Sequence, residues 1–559
     1  MAQATTKPLT DFWQGLPEEL KVKLRLGFTG KQHLLDIAGW CLRSGDPGLL
    51  PMAADALQTA FGENPLDGEM ATELLSHDAV RAILPQATIH ALTAVAEHWQ
   101  RPDNTGYFER LLVQRDFAKL KHFIEQSADK EPDNLFWREQ AMAFGLIDHD
   151  LDWVKSMTTF TPPPGLAPVM VNVAARIDSL RGQCMDAARL SQTVGDAFGP
   201  SYPALSAGLC MLEAGDPASA NLLLLESLGR TPWNTSLLMR VHDLLAGRDT
   251  DLQPLQGSTA IVLYSWNKAI ELDATLRSLF KSELPGASIF VLDNGSTDST
   301  SEMLASWQTR FHNQRGTGRL QVITLPVNIG APPARNWLMH HPPVADHDFI
   351  CYLDDDVELP ADWLLRLGAA VHHYPDAGVW GCKVVDHANS ALIQSADSHL
   401  LVDDDAPPLD LSHTAPNPFR LSDLHIQGLD SGLFDILRPC ASVTGCCHLF
   451  RTKVLLESGD FAIQLSPTQY DDMEHDLRLC TAGRFAVYQG HLAIRHKKRT
   501  GAASRTSMQE EGNALGNKYK MQTMHSHDTL KDAMAQEQLL LDRDMVKKMQ
   551  VVEGAMPSS

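Results

Sequence analysis

"FICYLDDDVELPADWL", residues 349–364, sets five apolar or aromatic residues directly against three aspartates, Asp354, Asp355 and Asp356. An apolar run of this length bounded by turn formers reads as a buried strand. The acidic residues then fall at its carboxyl end, before a helix predicted to open near Pro360. Like charges at one strand end repel unless a cation lies among them, so the cluster is either a cation site or a solvated loop. A second triplet, Asp403 to Asp405 in "LVDDDAPPLD", has the same charge but lies in a Pro-rich stretch with no buried run before it. It is expected to be a solvated loop.

Working outward from this strand, the chain alternates two periodicities. "TAIVLYSW" (259–266) and "ASIFVLDNGSTDST" (287–300) each begin as short β-rich runs and end in polar residues, while "KAIELDATLRSLF" (268–280) has helical spacing. "LQVITLPVNIGAPPARNWLMHH" (320–341) repeats the pattern of strand, Gly-Pro turn and helix. Such alternation predicts an α/β fold with a mostly parallel sheet covered by helices. Ligands of these sheets bind outside the carboxyl ends of the strands, where the polar clusters lie. Ser296 or Asp298 can cap the following helix. Asp293, one step earlier at the strand end, is not explained by capping.

Upstream, from Leu16 to about Gly247, apolar residues recur at helical spacing and no strand pattern appears. "VAARIDSLRGQCMDAARLSQTV" and "LSAGLCMLEAGDPASANLLLLESLGRTP" place Gly182 with Ala187 and Gly215 with Ala220 about 33 residues apart, the layout of tetratricopeptide-like repeats. Arrays of that kind form surfaces for protein partners, although a plain helical platform has the same pattern. The turn-rich "GRDTDLQPLQGS" (247–258) marks a boundary. The expected organisation is an all-helical domain over 1–250, an α/β catalytic domain over 251–505 and a C-terminal helical extension over 506–559. The extension is amphipathic and is expected to pack on its own domain.

The 559 residues suit two or three domains, and a formal charge of −22 argues against a nucleic-acid partner. Nine cysteines without metal or redox spacing read as buried thiols in a reducing compartment. The start of the chain lacks a leader pattern and no window is apolar enough to span a bilayer. The expected location is cytoplasmic, or peripheral to the inner face of a membrane.

In order and spacing, "YSWNKAIELDATLRSL", "VLDNGSTDST", "NIGAPPARNWL", "YLDDDVELPADWL", "GCCHLFRTKVLLESGDF" and "YDDMEHDLRLCTAGRFAVY" resemble the nucleotide-sugar glycosyltransferases of family 2, which have the GT-A fold. The resemblance covers roughly Ser258 to Thr500. It implies a nucleoside diphosphate sugar donor, an acceptor that is a glycan, a lipid-linked sugar or a protein, inversion at the transferred carbon, and a divalent cation, Mn2+ or Mg2+. Hard carboxylate oxygens suit either ion. The three aspartates lie where the family has its D-x-D motif. By that resemblance Asp354 faces the ribose or the metal and Asp356 binds the metal, while Asp355, on the other side of an extended backbone, ranks third as a substrate contact. Asp293 would reach the nucleobase, unless it only satisfies its own turn. Arg335 would meet phosphate or form a structural salt bridge.

Asp471 stands where the family often has glutamate and Asp472 where it has the general base, with Glu474 and Arg478 as a helix-fixing pair. His496, after the last strand, would bind the metal or phosphate. Lys497, with Lys498 and Arg499, would meet the diphosphate or an anionic acceptor. Gly445 and Cys446 lie where the family has small residues beneath the sugar, with no contact assigned. A non-catalytic scaffold with a degenerate transferase domain is the alternative reading. A nucleotidyltransferase would want a Gly-rich basic loop after the first strand, and "YSWNKAIEL" does not supply one.

Overall fold

The computed structural model describes residues 8–27, 30–114, 116–316, 319–402, 419–422, 428–498 and 508–556. Asp403 to Asp405 and Arg499 therefore lie outside the described residues. The chain divides into two compact units, Met1–Val241 with Val552–Ser559, and His242–Val551.

The first unit is helical. Four helix hairpins follow one another: Gly106–Gln114 with Phe117–Lys130, Leu135–Asp148 with Leu151–Thr158, Ala167–Leu180 with Cys184–Thr193, and Ser201–Glu213 with Pro217–Arg230. At each turn an amide reaches back five residues, from Asp116 to Leu111, Asp150 to Gly145, Gln183 to Asp178 and Asp216 to Met211. Such a bond closes a helix whose next residue turns left-handed, and His149, Gly182 and Gly215 have φ of 59°, 74° and 81°. Four positions after each amide comes a buried side chain, Leu120, Val154, Ala187 and Ala220. A local rule for ending a helix thus recurs together with a packing position, which is how a degenerate sequence keeps one repeated shape.

The second unit is built on strands β1 (Thr259–Ser265), β2 (Ala287–Asp293), β3 (Leu320–Thr324), β4 (Phe349–Leu353), β5 (Val357–Glu358), β6 (Val379–Asp386), β7 (Ile393–Ser395), β8 (Leu400–Val402), β9 (Phe419–Leu421), β10 (Leu437–Cys440), β11 (Cys447–Arg451) and β12 (Ala486–His496). The main sheet runs β10-β12-β6-β11-β4-β1-β2-β3, with β5 on β12 and β7 on β6; β8 and β9 pair separately. β1 to β4 are mutually parallel, and β6 is parallel to β12. β11 is antiparallel to both β4 and β6, so the two parallel blocks point the same way and the sheet is mixed but mostly parallel.

Every residue of β4 and β6 is buried, as expected for strands covered on both faces. Ile261, Leu263, Ile289, Val291 and Leu353 pack with Leu276, Leu304, Trp307 and Trp363 of the covering helices. The connectivity puts the crossover between β1 and β4, the switch point at which α/β sheets open a crevice. Because β11 runs backwards, its first residue, Cys447, pairs with Leu353 at the carboxyl end of β4. β12 ends with His496 opposite Val357. Both pairings deliver residues distant in sequence to the same sheet edge as Asp354.

The helices Met508–Gln522 and His527–Ala555 follow. Met521, Leu530 and Ala533 pack with Leu400, Phe419, Leu477 and Phe485. On the last helix Glu537 Oε1 lies 2.7 Å from His399 Nδ1, and Asp397 Oδ2 lies 2.9 Å from His399 Nε2 and 3.3 Å from Arg438 Nη1, all buried. Among the described residues no helix is long and apolar enough to cross a membrane. All nine cysteines are buried and free of disulfides.

Candidate active site

The three aspartates after β4 have different surroundings. Asp355 points into the protein, where Oδ2 accepts from Ser265 Oγ at 2.6 Å and Oδ1 from Lys268 Nζ at 2.9 Å. Burial pushes its carboxyl above the usual range, against the pull of Lys268. Asp356 accepts from the same Lys268 Nζ at 3.1 Å and lies 3.1 Å from His496 Nε2. Burial alone would raise Asp356, but His496 and Lys268 outweigh it and hold the carboxyl well below the usual range. Asp354 is the most exposed of the three, with 28% of its side chain accessible, and lies 3.9 Å from His496 Nε2. Its amide donates to the carbonyl of Cys446 at 3.2 Å.

His496 is oriented from behind, because Nδ1 meets Gln394 Oε1 at 2.8 Å and so turns Nε2 toward the aspartates. Burial lowers the imidazole's affinity for a proton, yet Asp356 and Asp354 raise it on balance. Ligand atoms of Asp354, His496 and Cys446 all lie within 4.8 Å of one another. Donors on opposite sides of an ion bound at about 2.0–2.4 Å are about 4–5 Å apart, so this donor set fits a divalent cation. The Lys497 amide donates to the Asp356 carbonyl at 3.0 Å, and its side chain is half-buried.

The second acidic pair opens the helix Asp471–Thr481. Asp471 is buried, with Oδ2 3.5 Å from Arg335 Nε. Burial pushes its carboxyl up to about 6 despite Arg335. Arg335 is itself buried beneath the rings of Tyr264, Tyr352 and Phe461. Among the described residues Arg335 Nη1 and Asp471 Oδ2 have no hydrogen-bond partner. Asp472 is partly exposed and accepts two amides, from Gly445 at 2.7 Å and from Met473 at 2.9 Å. Burial disfavours its charge, but Arg335, His448 and those amides hold it below the usual range. The pair is thus split into one carboxyl inclined to keep its proton and one inclined to lose it. Glu474 and Arg478 form an ion pair at 3.0 Å.

At the end of β2, Asp293 accepts from the Ser296 amide and from Ser301 Oγ, both at 2.9 Å. Asp298 bonds Thr300 of its own helix and also the amide of Ala269, which opens the preceding helix. Asn328 Oδ1 accepts from Asn294 Nδ2 and from the Gly330 amide, shaping the turn before Arg335.

Residues 260–457 match the model of glycosyl transferase family 2. That segment is a family 2 glycosyltransferase domain. Its sheet is of the GT-A type. No curated protein matches the chain. Similar solved structures include GalNAc-T7 with UDP, GalNAc and Mn2+, at 14% identity over 50% of this chain and 50% of that one, TM-score 0.38. TarS of S. aureus matches at 16% identity over 43% and 36%, TM-score 0.27. Mannosyltransferase PcManGT from Pyrobaculum calidifontis, in complex with GDP-Man and Mn2+, matches at 13% identity over 61% and 88%, TM-score 0.32. The chain spans half the length of the first and 36% of the second.

The family 2 match ends before Asp471, Asp472 and His496, which the sheet and the helix at 471 bring beside the matched segment. Sequence reasoning singled out those three with Asp293 and Asp354 to Asp356, but not Lys268, Gln394 or the role of Gly445. The one available signal was Lys268, a basic residue directly after the first strand of the family 2 domain.

Proposed function

We propose that the chain is a metal-dependent, inverting glycosyltransferase that moves a sugar from a nucleoside diphosphate to an acceptor hydroxyl. The observation carrying this reading is the gathering of Asp354, Asp356 and His496 at the β1/β4 crevice, with Asp472 tied to the same turn by the adjacent residues Gly445 and Cys446. A divalent cation held by Asp354, Asp356 and His496 would neutralise charge on the departing diphosphate. Asp472 takes the proton of the acceptor hydroxyl, since it is ionised, partly exposed and fixed by two amides. Asp471 and Arg335 sit behind it and set its charge and orientation. Asp355 holds Lys268 beside the donor, Lys497 lies at the rim for the diphosphate, and Asp293 meets the nucleobase at the end of β2. The acceptor is a glycan, a lipid-linked sugar or a protein. The repeated hairpins of the helical unit support a surface for a protein partner. Nine free thiols support a cytoplasmic location.

Full-length protein with a panel of nucleoside diphosphate sugars, with and without Mn2+, tests this. Mn2+-dependent donor binding lost in Asp356→Asn, and donor binding kept but turnover lost in Asp472→Asn, is the expected result. Absence of donor binding at saturating Mn2+ would overturn the proposal.

A further inference from the structure

Cys446 is the residue at the cation site that neither the acidic motif nor the histidine accounts for. It is 7% exposed, and its sulfur lies within 4.8 Å of ligand atoms of Asp354 and His496. Thr444 Oγ1 is 3.6 Å from the sulfur. The Cys446 carbonyl accepts from the Asp354 amide, and the following residue begins the β11 pairing with β4. The turn that carries the side chain is therefore tied to the end of β4 at Cys446 and at the residue after it. Among the described residues no other cysteine joins a cluster of three metal-ligating side chains; Cys447, next in the chain, turns to the thiols of Cys351 and Cys382.

We propose that Cys446 supplies a sulfur ligand to this site and shifts its preference from Mg2+ toward softer divalent ions. The inference rests on the cation-site reading given above and concerns the selectivity of that site. Carboxylates alone suit Mg2+ and Mn2+, whereas a thiolate and an imidazole favour Co2+, Zn2+ and Cd2+. On binding, the thiol proton passes to solvent and the sulfur takes the place of a water or carboxylate oxygen in the coordination shell. Serine at the same position offers a neutral hydroxyl oxygen of similar reach and removes the soft, anionic sulfur.

Co2+ is the probe. The full-length protein loaded with Co2+ should show the intense near-ultraviolet charge-transfer absorption of a thiolate ligand, and Cys446→Ser should lose it. The variant should also bind Cd2+ about tenfold or more weakly, and its Mg2+ affinity should fall by less than its Cd2+ affinity. Co2+ binding without the band in the unmutated protein, or a band that persists in Cys446→Ser, overturns the sulfur ligand and leaves the cation site standing. If neither Co2+ nor Mg2+ binds the unmutated protein, the cation reading fails and this inference with it. Should Cys446→Ser not fold, the spectrum of the unmutated protein and its preference for Cd2+ over Mg2+ decide alone: a band with that preference supports the ligand, and the lack of either overturns it.

Discussion

The backbone amide of Gly445 donates to Asp472 Oδ2 at 2.7 Å. A Cβ at this glycine would come within 2.6 Å of Arg335 Nη2 and 2.7 Å of Asp472 Oδ2. Gly445→Ala must therefore push the base from its amide or displace the guanidinium behind it. A base misplaced by about 1 Å costs on the order of 10²-fold in turnover, and overpacking costs about 1–3 kcal/mol of stability. Steady-state kinetics beside a thermal melt checks both; turnover within threefold of the parent would mean that this amide does not position the base.

Lys268 acts as a resident cation for Asp355 and Asp356. Lys268→Met leaves two buried carboxylates without it, lowering stability in chelator by about 1–2 kcal/mol, a figure discounted because the lysine side chain is 42% exposed. The same change removes a competitor for added Mn2+. The rise in melting temperature on adding Mn2+ should thus be larger in the variant than in the parent, and an equal or smaller rise would show that Lys268 and the ion do not compete.

Asp471 predicts a pH dependence of stability. Its folded carboxyl titrates at about 6 because burial disfavours the charge, against about 4 in an unfolded chain. Between these values the folded protein holds a proton that the unfolded chain has released, so this contribution declines as pH rises from about 4 to about 6 and stays lost above. Asp471→Asn abolishes the dependence. The stability of the parent relative to the variant should rise by on the order of 1–3 kcal/mol as pH falls through that window. A constant offset from the unpaired Arg335 would leave the slope intact. Denaturant melts at closely spaced pH values provide the comparison, and parallel curves would refute the buried titration.

Gly182 and Gly215 end equivalent helices in left-handed turns, and no described residue beyond the chain neighbours lies within 4 Å of a Cβ built on either. Alanine at either position meets no clash and costs only the backbone strain, about 1 kcal/mol. Since a Cβ at either meets no described neighbour, the two changes share no contact and the double variant should cost about the sum. Circular-dichroism melts of the single and double variants test this, and a cost near zero would mean that the turns relax.

The order of elements in the second unit could be read because buried parallel strands are uninterrupted apolar runs, and each ends where its polar cluster begins. Asp293 and Asp354 to Asp356 could be placed at strand ends for that reason, whereas Asp471, Asp472 and His496 were singled out by the family resemblance. The neighbours of those residues were not. Gln394 reaches His496 because β7 pairs with β6 beside β12, Cys446 reaches Asp354 because β11 runs backwards against β4, and Lys268 reaches Asp355 because β1 lies parallel to β4; such long-range register leaves no local periodicity. Asp293 shows the opposite limit: its position was plain, but both its oxygens engage Ser296 and Ser301 in this structure. The helical spacing of the last segment was evident in its Leu and Met residues, whereas the pairing of Glu537 with His399 had no signal at all.

That pairing bears on how the chain is made. His399, Asp397 and Arg438 are shut inside the second unit, and the carboxylate that completes their set is 138 residues beyond His399. While the ribosome is still short of residue 537, Asp397 partners His399 and Arg438 but His399 Nδ1 lacks the carboxylate it meets in the finished fold, so burying the set costs more. Closure around His399 therefore waits for the helix His527–Ala555, and until that helix docks the apolar face it covers is the surface that a nascent-chain chaperone would have to cover.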